Sequence, residues 1–170
     1  MALPVRIVTS PAVLAGQENG KLPTSILVQT PGLAGGPLVR LVSPAARAWQ
    51  ALTAAASAAG HTLKATSAAD SYRAYEIQRR IFLERYTLEF LPDRPWKLWD
   101  SNNNGVKERW YQLPNTAIAA VPGTSNHGWG LAVDTGEERD GDLGTESIDA
   151  TTLNWLVANG HPVAVCRTAG

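Results

Sequence analysis

The sequence predicts a single α+β domain, and three observations carry this prediction. The chain has 170 residues, enough for one domain with a substantial buried core. Its hydrophobic content of 44% and charged content of 18% are the balance of a globular protein rather than of a disordered one. Helix signals and short strand signals alternate irregularly along the chain, without an internal repeat or a low-complexity linker.

The first 42 residues are rich in glycine and proline. We expect an irregular N-terminal segment over 1–42, packed on the domain, with short strands at Val5–Val8 and Ser25–Val28. Pro4 and the lack of a basic stretch before an apolar run argue against a secretory signal, which predicts cytoplasmic synthesis. No apolar run approaches the roughly 18–20 residues of a membrane span, so no membrane partner is expected.

The first predicted helix begins at Ser43-Pro44, with Ser43 as N-cap and Pro44 at the first helical position. The alanine-rich run Ala45–Ala59 favours a helix, and Gly60 is a typical left-handed C-cap. A strand is expected over His61–Ala65.

A second helix is predicted from Tyr72 to about Tyr86, capped by Asp70 or Ser71. Further on, Asn104-Gly105 between two aromatic-rich runs predicts a β-hairpin over Trp96–Gln112.

Thr116–Val121 fits either a short helix or a buried turn. A strand is predicted over Leu131–Asp134, followed by a solvated acidic loop from Glu137 to Asp142. The last helix is expected from about Thr151 to Asn159.

Charge and cysteine content exclude several classes of function. Fifteen basic and fifteen acidic residues cancel, so no overall field favours a nucleic-acid partner or an anionic membrane. The single cysteine, Cys166, excludes an internal disulfide and a thiolate zinc cluster.

The most informative stretch runs from Pro122 to Asp134. His127 and Asp134 carry the imidazole and carboxylate groups that zinc binds, and Gly128 and Gly130 argue against a helix between them. On one unbroken strand, an offset of seven would point the two side chains to opposite faces. We therefore expect a glycine-bent loop carrying His127 and a following strand carrying Asp134. Ser125 could orient the histidine or hydrogen-bond a substrate amide.

The string Ser125-x-His127-x-x-Gly130-x-Ala132-x-Asp134 resembles the metal-binding motif of the VanY-like zinc peptidases. That family comprises D-alanyl-D-alanine carboxypeptidases and L-alanyl-D-glutamate endopeptidases that cut peptidoglycan stem peptides, including many phage endolysins. Two further stretches resemble the family, so that the likeness covers about residues 43–159: Ser71-Tyr72-Arg73 with the trailing Gln78, and Leu153–Asn159.

The resemblance implies a small antiparallel sheet flanked by helices, of the hedgehog and D-Ala-D-Ala peptidase type, within residues 43–170. It implies Zn²⁺ as the cofactor, with His127 and Asp134 as ligands, and a peptidoglycan stem peptide as the partner. Arg73 inherits the role of touching the substrate or stabilising the developing oxyanion.

In the family, a later segment supplies a third ligand and a general-base glutamate. After Asn159 this sequence reads GHPVAVCRTAG, with neither glutamate nor tryptophan. We therefore expect the domain to be truncated or altered after about residue 160, for instance by a shifted reading frame. Sequencing further codons in the other frames tests this. His161, between Gly160 and Pro162, is predicted to lie in a solvent-facing turn.

Two functions follow from these expectations. The first is a zinc peptidase that acts at the bacterial cell wall if it is released from the cell. The alternative is a catalytically impaired relic that binds zinc weakly, or binds cell-wall peptide without hydrolysis. Four hairpin aromatics either flank the cleft or pack in the core: Trp96, Trp99, Trp110 and Tyr111.

Overall fold

The computed structural model describes residues 10–32, 35–137, 150–159 and 164–166. Three α-helices occur in these residues: α1 (Ser43–Ala58), α2 (Tyr75–Leu83) and α3 (Ala150–Asn159). The strands are β1 (Leu27–Gly32), β2 (Gly35–Val42), β3 (Leu63–Ala65), β4 (Tyr86–Thr87), β5 (Trp96–Trp99), β6 (Glu108–Gln112), β7 (Ala132–Glu137) and β8 (Ala164–Cys166). The predicted α+β class is confirmed.

The N-terminal segment is more regular than expected, because β1 and β2 form an antiparallel hairpin. Val39 and Leu41 of β2 are buried in the main core, so this strand belongs to the body of the fold. Pro37 argued against a strand at this place in the sequence. In a two-stranded sheet, however, both strands are edge strands, and an edge strand tolerates proline because one of its sides has no neighbouring strand to bond. The predicted strand at Val5–Val8 lies outside the described residues.

Helix α1 begins one position earlier than predicted. Its N-cap is Val42, and Ser43 Oγ accepts a hydrogen bond from Arg47 Nη1 at 2.7 Å instead of capping the helix. The helix ends as expected, since Gly60 follows its last turn with a left-handed φ of 87°.

Helix α2 starts at Tyr75, three residues later than predicted. Long-range hydrogen bonds hold the residues before it outside the helix. Tyr72 N–H donates to Arg40 O at 2.9 Å, and Arg73 N–H donates to His127 O at 3.0 Å. Ala74 has an extended backbone with a ψ of 153°, so the helix begins after it, and the two bonds fix Arg73 beside the loop that carries His127.

The central sheet has the order β3-β7-β8. Strand β3 pairs antiparallel with β7, and β8 pairs parallel with it on the other side. A strand therefore follows α3, within the part of the sequence where we expected the family pattern to be interrupted. Asp134 lies on the middle strand and is paired in register with Cys166.

A second sheet has the order β4-β6-β5, and its β5–β6 hairpin confirms the prediction made from Asn104-Gly105. Gly105 takes a φ of 85° at the tip of the hairpin. Thr116–Val121 forms neither of the two predicted structures: it is irregular, with Ala119 buried.

Three clusters of buried side chains hold these elements together. The largest joins the inner faces of β2, α1, β3, β7 and α3 around Trp49 and Leu63, which are almost fully buried. Burying a leucine-sized side chain stabilises a fold by about 1.5–3 kcal/mol. This cluster therefore fixes β7, and with it Asp134. Within the described residues, no helix is long and apolar enough to cross a membrane.

Candidate metal centre

Ser125–Gly130 forms a short turn, here called the histidine turn, that presents His127. Its residues Asn126–Trp129 make one 3-10 turn. Ser125 is the N-cap, and its Oγ accepts a hydrogen bond from His127 N–H at 3.3 Å. Gly130 ends the turn in the left-handed conformation, with a φ of 61°. The chain then enters β7, which carries Asp134. The structure thus places Ser125 as a capping residue that supports the histidine backbone.

The imidazole of His127 is buried and has a fixed orientation. Its Nδ1 lies 2.8 Å from the carbonyl oxygen of Ser71. Because a carbonyl oxygen only accepts hydrogen bonds, Nδ1 carries a hydrogen; Nε2 faces the opposite direction, and in the neutral imidazole it keeps a lone pair there. Metal-ligating histidines in proteins are commonly fixed in this way by a backbone carbonyl or a carboxylate.

Nε2 of His127 lies 3.3 Å from Oδ1 of Asp134. A neutral imidazole nitrogen and an ionised carboxylate oxygen repel each other at this distance unless a cation, either a proton or a metal ion, lies between them. In a tetrahedral zinc site with bonds of about 2.0–2.2 Å, neighbouring ligand atoms are about 3.3–3.6 Å apart. The two donor atoms therefore fit zinc in both chemistry and spacing.

Asp134 is ionised at neutral pH. Burial raises the pKa of its carboxyl group, but His127 and Arg73 together outweigh burial, so that the pKa lies below its ordinary value. An ionised carboxylate needs no deprotonation before it binds a cation, which suits Asp134 to metal binding.

Arg73 lies between two carboxylates. Its Nη2 is 3.4 Å from Oδ2 of Asp134 and 3.4 Å from Oδ1 of Asp70. Asp70 Oδ2 in turn accepts hydrogen bonds from Thr66 Oγ1 at 2.8 Å and Ser67 Oγ at 2.7 Å. Asp70, which sequence reasoning considered only as a helix cap, thus holds Arg73 beside the His127–Asp134 pair. The i,i+3 spacing of Asp70 and Arg73 was the available signal for this contact.

Ser71 connects the His127–Asp134 pair to the β1–β2 hairpin. Its buried Oγ donates to Ala68 O and accepts from Arg40 N–H, both at 3.0 Å. These bonds fix the backbone whose carbonyl oxygen holds His127 Nδ1.

In the described parts of the chain, no group of three or more histidine, cysteine, aspartate or glutamate side chains could hold a metal ion. His61 lies outside this pair of residues, with its Nδ1 2.7 Å from Thr152 Oγ1. His161 and the acidic loop beyond Glu137 lie outside the described residues.

The hairpin aromatics mainly pack in the core. Trp99 and Trp110 are buried and contact Phe82 edge to face. Tyr111 is almost buried and contacts Phe90. Trp96 is half exposed, with the Arg109 guanidinium 4.3 Å from its ring centroid.

Fold and site together describe a small α+β domain in which a buried histidine and an aspartate lie at a spacing that fits zinc. A family model described as VanY, D-alanyl-D-alanine carboxypeptidase, matches residues 39–167. The chain therefore belongs to the VanY D-alanyl-D-alanine carboxypeptidase family. No curated protein matches the chain.

One solved structure similar to this chain is a mutant of the vancomycin resistance D,D-pentapeptidase VanY from a VanB-type resistance cassette, in complex with Zn(II). The two are 23% identical, with a TM-score of 0.45. The alignment covers 82% of this chain and 66% of that chain, so this chain spans just under two thirds of its length.

Proposed function

We propose that this chain is a zinc-dependent peptidase that acts on peptidoglycan stem peptides. The observation that carries the proposal is the His127–Asp134 pair, with donor atoms 3.3 Å apart and the second imidazole nitrogen fixed by Ser71 O. Membership of the VanY family supports it, because that family is described by D-alanyl-D-alanine carboxypeptidase activity.

His127 and Asp134 would hold the zinc ion, His127 through Nε2 and Asp134 through its ionised carboxylate. When bound, zinc supplies a Lewis acid for the scissile carbonyl group and lowers the pKa of a coordinated water. The protein's part is to keep both donors oriented before the ion arrives. The Ser71 carbonyl does this for His127, and the position on the central strand β7 does it for Asp134.

Arg73 would supply positive charge to the substrate. Its side chain is 17% exposed, and Asp70 restrains the guanidinium at a distance of 3.4 Å. A fixed cation beside the metal ligands stabilises negative charge that develops on a substrate oxygen, because it needs no reorganisation during the reaction.

The test is hydrolysis of a stem pentapeptide that ends in D-Ala-D-Ala, with products identified by mass spectrometry. Loss of the terminal D-alanine would identify a carboxypeptidase, and cleavage between L-alanine and D-glutamate an endopeptidase. We expect H127A and chelation each to abolish hydrolysis, and added zinc to restore it only in the chelated wild type. Hydrolysis that survives both treatments would overturn the proposal.

A second candidate is a catalytically impaired member of the family that binds zinc weakly, or binds cell-wall peptide without cutting it. It rests on the described residues, in which no third histidine, cysteine, aspartate or glutamate side chain completes a metal-binding group with the pair. A reaction that also lacked a general base would lose a contribution of about 10²–10⁴-fold. Zinc-loaded protein that sediments with purified peptidoglycan but releases no product would favour this candidate. In either case the site of action proposed is the bacterial cell wall, as for a phage lysin.

A further inference from the structure

Asn19 lies in the N-terminal segment, yet its side chain reaches the histidine turn. Its Nδ2 donates a hydrogen bond to Ser125 O at 2.8 Å, across 106 positions of sequence. Its Oδ1 accepts a hydrogen bond from Gln78 Nε2 at 3.2 Å. Asn19 is 8% exposed, and both ends of its amide are satisfied. It lies outside residues 39–167, the span that the family model matches.

Gln78 extends this connection to Arg73. Its side chain is 4% exposed. Its Nε2 also donates to Arg73 O at 2.9 Å, and its Oε1 accepts from Gly123 N–H at 3.1 Å. The two buried amides of Asn19 and Gln78 thus join the backbone at Arg73 to the loop that leads into the histidine turn.

The contact between the two amides and the turn leaves no free space. A Cβ atom built on Gly128 would lie 1.9 Å from Asn19 Oδ1 and 2.4 Å from Gln78 Nε2. The neighbouring backbone is bonded as well, since Gly20 N–H donates to Gly128 O at 2.8 Å and Tyr75 N–H donates to Gly20 O at 2.9 Å.

We infer that Asn19 is a positioning residue, which acts through Ser125 O and Gln78 to hold the histidine turn in the geometry that presents His127. Loss of the Asn19 amide would remove two buried hydrogen bonds at once, the one to Ser125 O and the one from Gln78 Nε2, so the turn would lose the side-chain restraint that ties it to Gln78. Metal ligands need positions fixed to about 0.5 Å, and loss of a group that orients them typically weakens binding by about 10–100-fold. The inference deepens the proposed function and rests on it for the link to zinc.

The test uses the full chain with N19A, and Q112A as a matched control. Gln112 is also a buried amide that donates to a backbone carbonyl, Thr116 O at 2.6 Å, but it lies on β6, in the β4-β6-β5 sheet, and its bond stays within that part of the fold. Amide hydrogen exchange of the metal-free proteins reports the turn directly, because Gly128 N–H and Gly130 N–H are bonded to Ser125 O and His127 O. Zinc affinity is then measured by competition with a chromophoric chelator.

We expect N19A to raise exchange at Gly128 and Gly130 at least about tenfold and to weaken zinc binding by about 10–100-fold. Q112A should leave both unchanged. If N19A does not fold, the same two measurements are made on N19D. That variant keeps the oxygen that accepts from Gln78 Nε2 and loses the N–H group that donates to Ser125 O. Unchanged exchange in the variant that folds would overturn the inference. A wild type that binds no zinc would refute the proposed function, while the exchange measurement would still decide the role of Asn19.

Discussion

Nε2 of His127 and Oδ1 of Asp134 lie 3.3 Å apart, and the opposite nitrogen of the imidazole is bonded to the Ser71 carbonyl. The pair is therefore oriented from both sides. The hydrogen bond to Ser71 fixes the tautomer of His127, and the central strand β7 fixes the position of Asp134. The spacing matches that of two zinc ligands, which supports the proposal that His127 and Asp134 hold the ion.

The stability of the metal-free protein should depend on pH through Asp134. The pKa of this carboxyl group is lowered in the folded state from an ordinary value of 3.8. Its contribution to stability is therefore present above about pH 3.8 and is lost as the pH falls through the folded-state pKa. Urea unfolding in the presence of chelator, from pH 5 down to pH 2.5, should show a steeper loss of stability for the wild type than for D134N. If the stability of the two proteins fell equally with pH, the lowered pKa of Asp134 would be contradicted.

Replacing Arg73 should separate turnover from metal binding. We expect R73A to lower kcat by about 10²–10³-fold, the usual cost of losing a group that stabilises an oxyanion. Zinc affinity should stay equal or rise slightly, because the guanidinium beside Asp134 repels a cation. R79A is the control, since Arg79 is an exposed arginine of α2. If R73A binds zinc much more weakly, Arg73 supports the ligands rather than the substrate.

Replacing Ser125 distinguishes the two roles proposed from its sequence. If Ser125 acts as a cap for the histidine turn, S125A should lower the free energy of unfolding by about 0.5–1 kcal/mol and leave KM unchanged. A contact with a substrate amide would instead raise KM without affecting stability. Urea unfolding and peptide kinetics on the same preparation measure both quantities.

A side chain at Gly128 should disturb the turn through Asn19. We expect G128A to destabilise the protein by about 1–3 kcal/mol through overpacking. In the double variant N19A/G128A, the cost of G128A should fall by about 1 kcal/mol, because contacting residues couple.

G16A is the comparison for this cycle. Gly16 has a φ of 73° and no atom within 4 Å of a built Cβ, so its cost comes from backbone strain alone. In the double variant N19A/G16A, the losses of unfolding free energy caused by G16A and by N19A should therefore add. A fully additive cycle for G128A with N19A would show that the two residues do not meet in solution.

The sequence was sufficient where the determining signals are local. Gly60 follows the end of α1, and a β5–β6 hairpin forms on either side of Asn104-Gly105, as predicted, since nearby residues decide each feature. The prediction that a bent loop and a following strand carry His127 and Asp134 also rested on local glycine chemistry. The structure places the two side chains in contact.

Contacts between distant segments could not be predicted. Asn19 and Ser125 are 106 positions apart, and no local pattern links them. The helix prediction for Tyr72 and Arg73 was wrong: Ala74 has an extended backbone with a ψ of 153°, so the helix begins after it, and the N–H groups of Tyr72 and Arg73 bond to Arg40 O and His127 O. Strand β2 was not predicted because it begins with Gly-Gly-Pro, and glycine and proline are uncommon in strands.

Zinc titration of the metal-free chain tests the central claim most directly. Competition with a chromophoric chelator should show one zinc ion bound per wild-type chain and a large loss of affinity in H127A. H61A, which removes a histidine outside the site, should bind zinc as the wild type does. A wild type that binds no zinc, or an H127A variant that binds it equally well, would contradict the assignment of His127 and Asp134 as a zinc site.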